Sequence, residues 1–462
     1  MQSMQTQAIP LPFPKYCQIV QKALRERDGE TLAVLLANDQ QEIGERIILG
    51  LAGSHRNLLV PHTLKLPSPF SEIVISHIQV LVLSKQASSS LGETEGASWV
   101  GAYKEQVQCL SLFMNQFLIN QTSWPLPVLY QLCRDLRDLG EKADEYSISS
   151  GLQKTPVSLE DTARHINKAF TIVATDRMNK GVEARQRGIY YIAGLSIKCY
   201  FKVNRPTLCK NIIRAIGSSS NPQPLDSFPI AHQVTWRYYM GMLAFLEEEY
   251  KTAEDLFWEA FKGCSWLAKR NLEQILFYLL PLRLLRGLLP SPILLSQFPV
   301  LSDTYLPFIQ ALRRSDIRAY DIALRALRGK LLSLSGGGGG GGGGIWTAME
   351  KGREVVVRGR LKKIWLAQNK LSRIPIKTFQ IGLQLASGSS SLSASTPTPI
   401  PSRVEDGSFG DLEDEEEYAD PAEVECLIAN MIYKGYVKGY ISHGHQIVVL
   451  SAKSAFPPLG GP

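Results

Sequence analysis

The 462-residue chain has no CxxC pair. Its 7 cysteines, at positions 17, 109, 133, 199, 209, 264 and 426, are scattered and odd in number. That spacing excludes a zinc knuckle and a disulfide framework, and points to reduced thiols. No run approaches the roughly 20 apolar residues a membrane span needs. The opening MQSMQTQAIPLPFPKY lacks a basic start followed by an apolar core, so no secretory signal is expected. The sequence therefore predicts a soluble intracellular protein with no membrane partner. GxxxxGK[ST], GxSxG and HExxH are all missing, and no nucleophile can be matched with a base. Of the seven histidines only His443 and His445 are neighbours, without cysteine or carboxylate support in the sequence, so a metal site is not expected. The nine glycines Gly336 to Gly344 lack the Lys and Ser/Thr of a phosphate loop and read as a flexible connection. These absences argue against an enzyme and against any cofactor.

What is present is helix and charge. The 44% hydrophobic and 20% charged content is that of an ordinary globular protein, with length for two or three domains or one elongated helical array. The strongest local pattern runs from Ala422 to Leu450. Val424, Leu427, Ile428, Met431 and Ile432 form the apolar stripe of a helix, and Gly435 stands where a helix-ending glycine belongs. Val437 to Ile441 and Gln446 to Leu450 are β-rich runs flanking the short turn Ser442–His445. A helix followed at once by a hairpin is the last half of a winged helix.

The net charge of +7 conceals a polarity. Between Glu405 and Glu425 lie 11 acidic residues and no basic one, and the rest of the chain carries +18. Residues 311–377 hold 15 Lys or Arg against 4 acids. Basic surface on that scale, next to a winged helix, implies an acidic partner, either nucleic acid or protein.

Elsewhere the chain reads as helices. Tyr16 to Leu36 forms two, broken at Asp28–Gly29; Trp99 to Ile119 and Pro125 to Leu139 follow. Prolines at 61, 67 and 69 make Ser54 to Ser98 irregular, with a mobile loop. Ser158 to Asp161 resembles a capping box before a helix running to Asn179. Gly241, Ala253, Phe257 and Ala260 keep the spacing of a tetratricopeptide-like pair, with Ser265 where proline is usual. Asn271 to Leu289 is an apolar helix that Pro281 should kink or break. Ala311 to Leu327 is a helix pair turning at Ser315–Asp316, Trp346 to Gln368 is helical, and Ile374 to Leu385 is a short helix opened by Ser372 and Pro375. Gly388 to Asp420 is Ser/Thr/Pro-rich, then acidic, and is expected to be disordered.

Ala311, Ser315–Asp316, Tyr320 and Leu324 resemble the A-x-x-x-G-D-x-x-x-F-x-x-x-L pattern of PCI domains, with Ser in place of Gly. Beyond that, Cys199 to Ile216, Val234 to Phe245, Ile275 to Gly287 and Cys426 to Leu459 resemble the PCI-domain family of the nuclear messenger-RNA export machinery. Its fungal members are often labelled homologues of the twelfth signalosome subunit. The resemblance covers about Ser158 to Pro458. It implies an all-α solenoid ending in a winged helix, and assembly with a GANP-type scaffold and a small acidic DSS-type protein at nuclear pores. In that family the winged helices jointly bind DNA or RNA. The nine-glycine tract and the acidic insertion exceed what the family usually carries.

The expected organisation is a helical region over 1–157, a tetratricopeptide-like part over 158–335, a glycine loop over 336–344, and a winged-helix part over 345–458 interrupted at 388–420. Lys370, Arg373, Lys377, Lys434, Lys438, His443 and His445 are the candidate nucleic-acid surface. Ile432, Val437, Tyr440 and Val448 are the candidate partner surface, offering a hairpin edge and apolar area. The expected location is the nucleus, with some cytoplasmic protein. The alternative reading is a subunit of a signalosome-like complex acting through protein contacts alone.

Overall fold

The computed structural model describes residues 11–38, 46–47, 65–89, 93–176, 181–218, 224–334, 341–387 and 420–459. They fall into two compact units, one up to Leu243 and one from Ala244 onward. The division lies within a helix, at neither 157 nor 335.

The first unit is entirely helical among the described residues. Helix α1 (Phe13–Glu26) ends at Arg27 with φ 55°, and the Asp28 carboxylate then accepts from Thr31 N at 3.0 Å to open α2 (Gly29–Leu35). α3 (Phe70–Ser89) is a 20-residue helix inside the stretch Ser54 to Ser98, expected to be irregular with a mobile loop; of that stretch, residues 54–64 and 90–92 lie outside the described residues. Pro69 stands just before α3, so this proline delimits the helix and does not break it. α4 (Glu93–Leu112) relaxes into a π-turn and a 3-10 turn by Asn120, and α5 (Leu126–Ser149) runs well past the expected Leu139.

α6 (Val157–Ala174) is not opened by a capping box. Asp144 of α5 reaches across and accepts from Ser158 N at 2.8 Å and Leu159 N at 2.7 Å, so a non-local carboxylate satisfies the free amides. α7 (Ile189–Lys202), α8 (Cys209–Gly217) and α9 (Ile230–Leu246) complete the sequence, with α6 on α7 and α7 on α8. Arg185 is a structural residue: it is buried, bridges to Asp176 at 3.3 Å, and donates to the carbonyls of Leu118 and Ile119.

In the second unit, α10 (Tyr250–Gly263) and α11 (Lys269–Leu285) pack together, burying Ala253, Phe257 and Ala260 as the small-residue spacing predicts. Pro281 sits inside α11 without ending it. α12 (Pro292–Gln297), α13 (Pro299–Arg314) and α14 (Ile317–Leu334) lead to α15 (Gly341–Ala367), which contacts α11, α13 and α14. Four of the nine glycines, Gly341 to Gly344, belong to α15 and not to a loop; the first five fall in or beside residues left undescribed. A Cβ on Gly344 would lie 3.1 Å from the Phe245 ring, so close packing favours glycine there despite its entropy cost of about 1 kcal/mol.

Candidate partner and nucleic-acid interface

The C-terminal end of α15 leads into a winged helix built from β1 (Arg373–Pro375), α16 (Ile376–Ser387), α17 (Pro421–Tyr433), β2 (Gly439–Ser442) and β3 (Ile447–Leu450). The sequence predicted the hairpin β2–β3 but not β1. The sheet order is β1-β3-β2, all antiparallel, with Arg373 opposite Val449, Ile374 opposite Val448 and Pro375 opposite Ile447. α17 starts at Asp420, whose carboxylate accepts from Ala422 N at 2.8 Å, and buries Val424, Ile428 and Met431. Gly435 follows with φ 76°, as expected of a glycine ending a helix. His443 to His445 form a single 3-10 turn between the strands.

Because β3 is the central strand, its inward side chains are core. Val448 on β3 is 0% exposed, and Val437, in the connection before β2, is 2% exposed. Neither presents surface to a partner, which corrects their expected role. Ile432 is half-buried, and Tyr440, at 62% exposure, is the accessible member of that set.

The expected nucleic-acid set divides in two. The Lys434 ammonium is engaged by the Glu354 carboxylate of α15, 80 residues away in sequence. His443 Nδ1 lies 2.8 Å and 3.0 Å from the Glu425 carboxylate oxygens, and Gln446 Nε2 donates to the same group at 3.4 Å. Lys434 and His443 are thus tied down inside the module. Lys370, Arg373, Lys377 and Lys438 are exposed and make no ion pair among the described residues. His445 is also exposed at the turn.

The neighbouring basic run on α15 is largely structural. Arg353 pairs with Asp321 at 2.9 Å, Arg360 donates to Gly382 O at 2.9 Å, and Lys363 donates to Arg314 O at 2.6 Å at the end of α13. Arg358 is 7% exposed. It donates through Nε to Tyr436 O at 3.1 Å and through Nη2 to Pro457 O, with its guanidinium 5.9 Å from the Phe456 ring centre. Burial pushes its pKa down, and a guanidinium still stays charged there. Arg358 therefore ties the α17–β2 connection and the C-terminal segment to α15. No local motif marks this role, because both carbonyls it serves are distant in the chain.

The two faces of the sheet differ. Ile374, Val448 and Leu450 point into the core, whereas Arg373, Val449 and Tyr440 form one cross-strand row on the opposite face. Among the described residues no group of three or more His, Cys, Asp or Glu is placed to hold a metal ion, and no helix is long and apolar enough to cross a membrane.

Residues 348–452, the span from α15 through β3, match the PCI domain family. The chain is 34% identical to Protein CSN12 homolog of Mycosarcoma maydis, over 85% of this chain and 86% of that protein. It is 30% identical to Protein CSN12 homolog of Neurospora crassa, over 95% and 98%. It is 27% identical to PCI domain-containing protein 2 of Xenopus laevis, over 96% and 97%. These matches run through both helical units as well as the winged helix, so the likeness is one of whole chains: this chain belongs to the PCI-domain family that includes the CSN12 homologues and PCI domain-containing protein 2.

Proposed function

We propose that this chain is a non-catalytic scaffold subunit of a nuclear, transcription-coupled messenger-RNA export complex. In this reading its winged helix joins a GANP-type scaffold, its helical part carries a small acidic DSS-type protein, and the winged helix contributes to binding DNA or RNA. The assembly works in the nucleus and at nuclear pores, with a cytoplasmic fraction.

The observation that carries the nucleic-acid part is the set of four cations, Lys370, Arg373, Lys377 and Lys438, displayed by one small module and making no ion pair among the described residues. Cations on that module already paired with carboxylates gain little from a phosphate; unpaired ones release counterions from a polyanion. The partner and location follow from family resemblance.

Native affinity purification with mass spectrometry, followed by mobility-shift assays on the recovered assembly, tests the reading. Recovery of a GANP-type chain and a DSS-type chain that together shift nucleic acid supports it. Recovery of signalosome-type PCI subunits with no nucleic-acid binding overturns it and establishes the protein-only alternative.

A further inference from the structure

We infer that the open face of the winged-helix sheet is a base-stacking platform for single-stranded nucleic acid, with Tyr440 as the stacking residue. This inference rests on the proposed nucleic-acid role and names the ligand class and the residues that select it.

Side chains directly opposite one another in an antiparallel ladder share a face. The pairings Arg373–Val449 and Val449–Tyr440 therefore place a guanidinium, a valine and a phenol in one row across all three strands. At a strand spacing of about 4.8 Å that row spans about 10 Å. The next row is Pro375, Ile447 and Ser442. On the other side Ser451 N donates to Lys438 O at 2.8 Å, which continues the ladder by one pair and puts Lys438 two positions from Tyr440 on the same face.

The middle of this face is apolar and partly open: Val449 and Ile447 are half-buried, Pro375 is exposed, and Tyr440 is 62% exposed. Its edges carry Arg373 and Lys438, cations with no ion pair among the described residues. No carboxylate belongs to either row. The charge complements a polyanion, and an exposed ring beside small apolar side chains on a sheet face suits an unstacked base. A duplex keeps its bases stacked inside and offers this ring only backbone, so the face discriminates by strandedness and not by base identity.

The test uses the full chain with fluorescein-labelled probes, a 15-nucleotide poly-U RNA and a mixed-sequence duplex, read by anisotropy. Tyr440→Ala is expected to weaken single-strand binding about tenfold or more, Tyr440→Phe to retain it, and duplex affinity to change by less than about threefold in either variant. The salt dependence should be unchanged in Tyr440→Ala, whereas Arg373→Ala should make it shallower by about one phosphate contact. Intact far-ultraviolet dichroism and unchanged melting of each variant guard against misfolding.

If the wild type binds both probes and Tyr440→Ala leaves single-strand affinity unaltered, the stacking inference falls and the nucleic-acid role stands. If Tyr440→Ala and Tyr440→Phe weaken both probes equally, the ring is a structural element and the inference falls again. If the wild type binds neither probe while Tyr440→Ala abolishes recovery of a protein partner, both readings fall and the face is a protein-docking surface.

Discussion

The hydroxyl of Ser315 occupies the space a Cβ on Gly359 would need, with only 2.7 Å between them. Ser315 ends α13 in the left-handed conformation, φ 51° and ψ 45°, and is 3% exposed. The PCI pattern has glycine at this turn, so the serine brings both a strained backbone and a side chain that must fit somewhere. Gly359 on α15 supplies the room. Gly359→Ala is expected to lower stability by about 1–3 kcal/mol through overpacking. Adding Ser315→Gly should restore most of that loss, because it removes the opposing atoms and the backbone strain together. Urea unfolding of the four combinations measures the coupling; simple additivity would show that the two residues do not compete for space.

Arg358 is expected to matter more for stability than for charge. Its two hydrogen bonds serve carbonyls of Tyr436 and Pro457, and removing it leaves both acceptors without this donor. Arg358→Met keeps the length and loses the donors, so it should cost about 2–4 kcal/mol. Hydrogen exchange or limited proteolysis should then show residues 451–459 opening before the helices. An unaltered exchange pattern in that segment would mean the clamp is dispensable.

His77, fully buried on α3, gives the fold a pH signature. Burial pushes its pKa down to about 4, against about 6.5 when exposed in the unfolded chain. Between those values the unfolded state holds the extra proton, so stability falls as pH falls. The loss is about 1.4 kcal/mol per pH unit, about 3 kcal/mol over the window. Above pH 6.5 this contribution is flat. The variant His77→Leu should therefore show a shallower decline of unfolding free energy between pH 6.5 and 4 than the wild type. Parallel curves for the two proteins would assign the acid sensitivity to other groups.

The helices that were legible in the sequence are those whose own residues settle the matter. α17 announces itself by Val424, Ile428 and Met431 and the glycine after it, and the turn at Ser315–Asp316 by pattern. What was not legible depends on distant partners. β1 is three residues, Arg-Ile-Pro, with a proline that argues against a strand, and it exists because β3 offers it an edge. Without β1 in view, Val448 reads as surface on a two-stranded hairpin; with it, Val448 faces Ile374 in the core. The cap of α6 comes from Asp144 on another helix, which no local motif encodes. The basic residues were all visible, but which of them carboxylates neutralise was not, since Glu354 lies 80 positions from Lys434.

That sorting of cations makes two lysines, four positions apart, unequal. Lys434 sits at the end of α17 against Glu354, and Lys438, before β2, has no ion pair among the described residues. Binding a phosphate at Lys434 requires breaking or sharing its carboxylate, whereas Lys438 exchanges only water and counterions. In the recovered assembly Lys438→Glu should therefore weaken nucleic-acid binding more than Lys434→Glu does, and should flatten the dependence of affinity on salt by about one phosphate contact. Lys434→Glu should instead show its effect in stability, because it sets two carboxylates against each other. Glu354→Gln is the informative companion: freeing Lys434 should raise affinity at low salt while leaving the fold intact. Equal losses from the two charge reversals, at every salt concentration, would mean that the Glu354 pairing does not persist in the bound assembly.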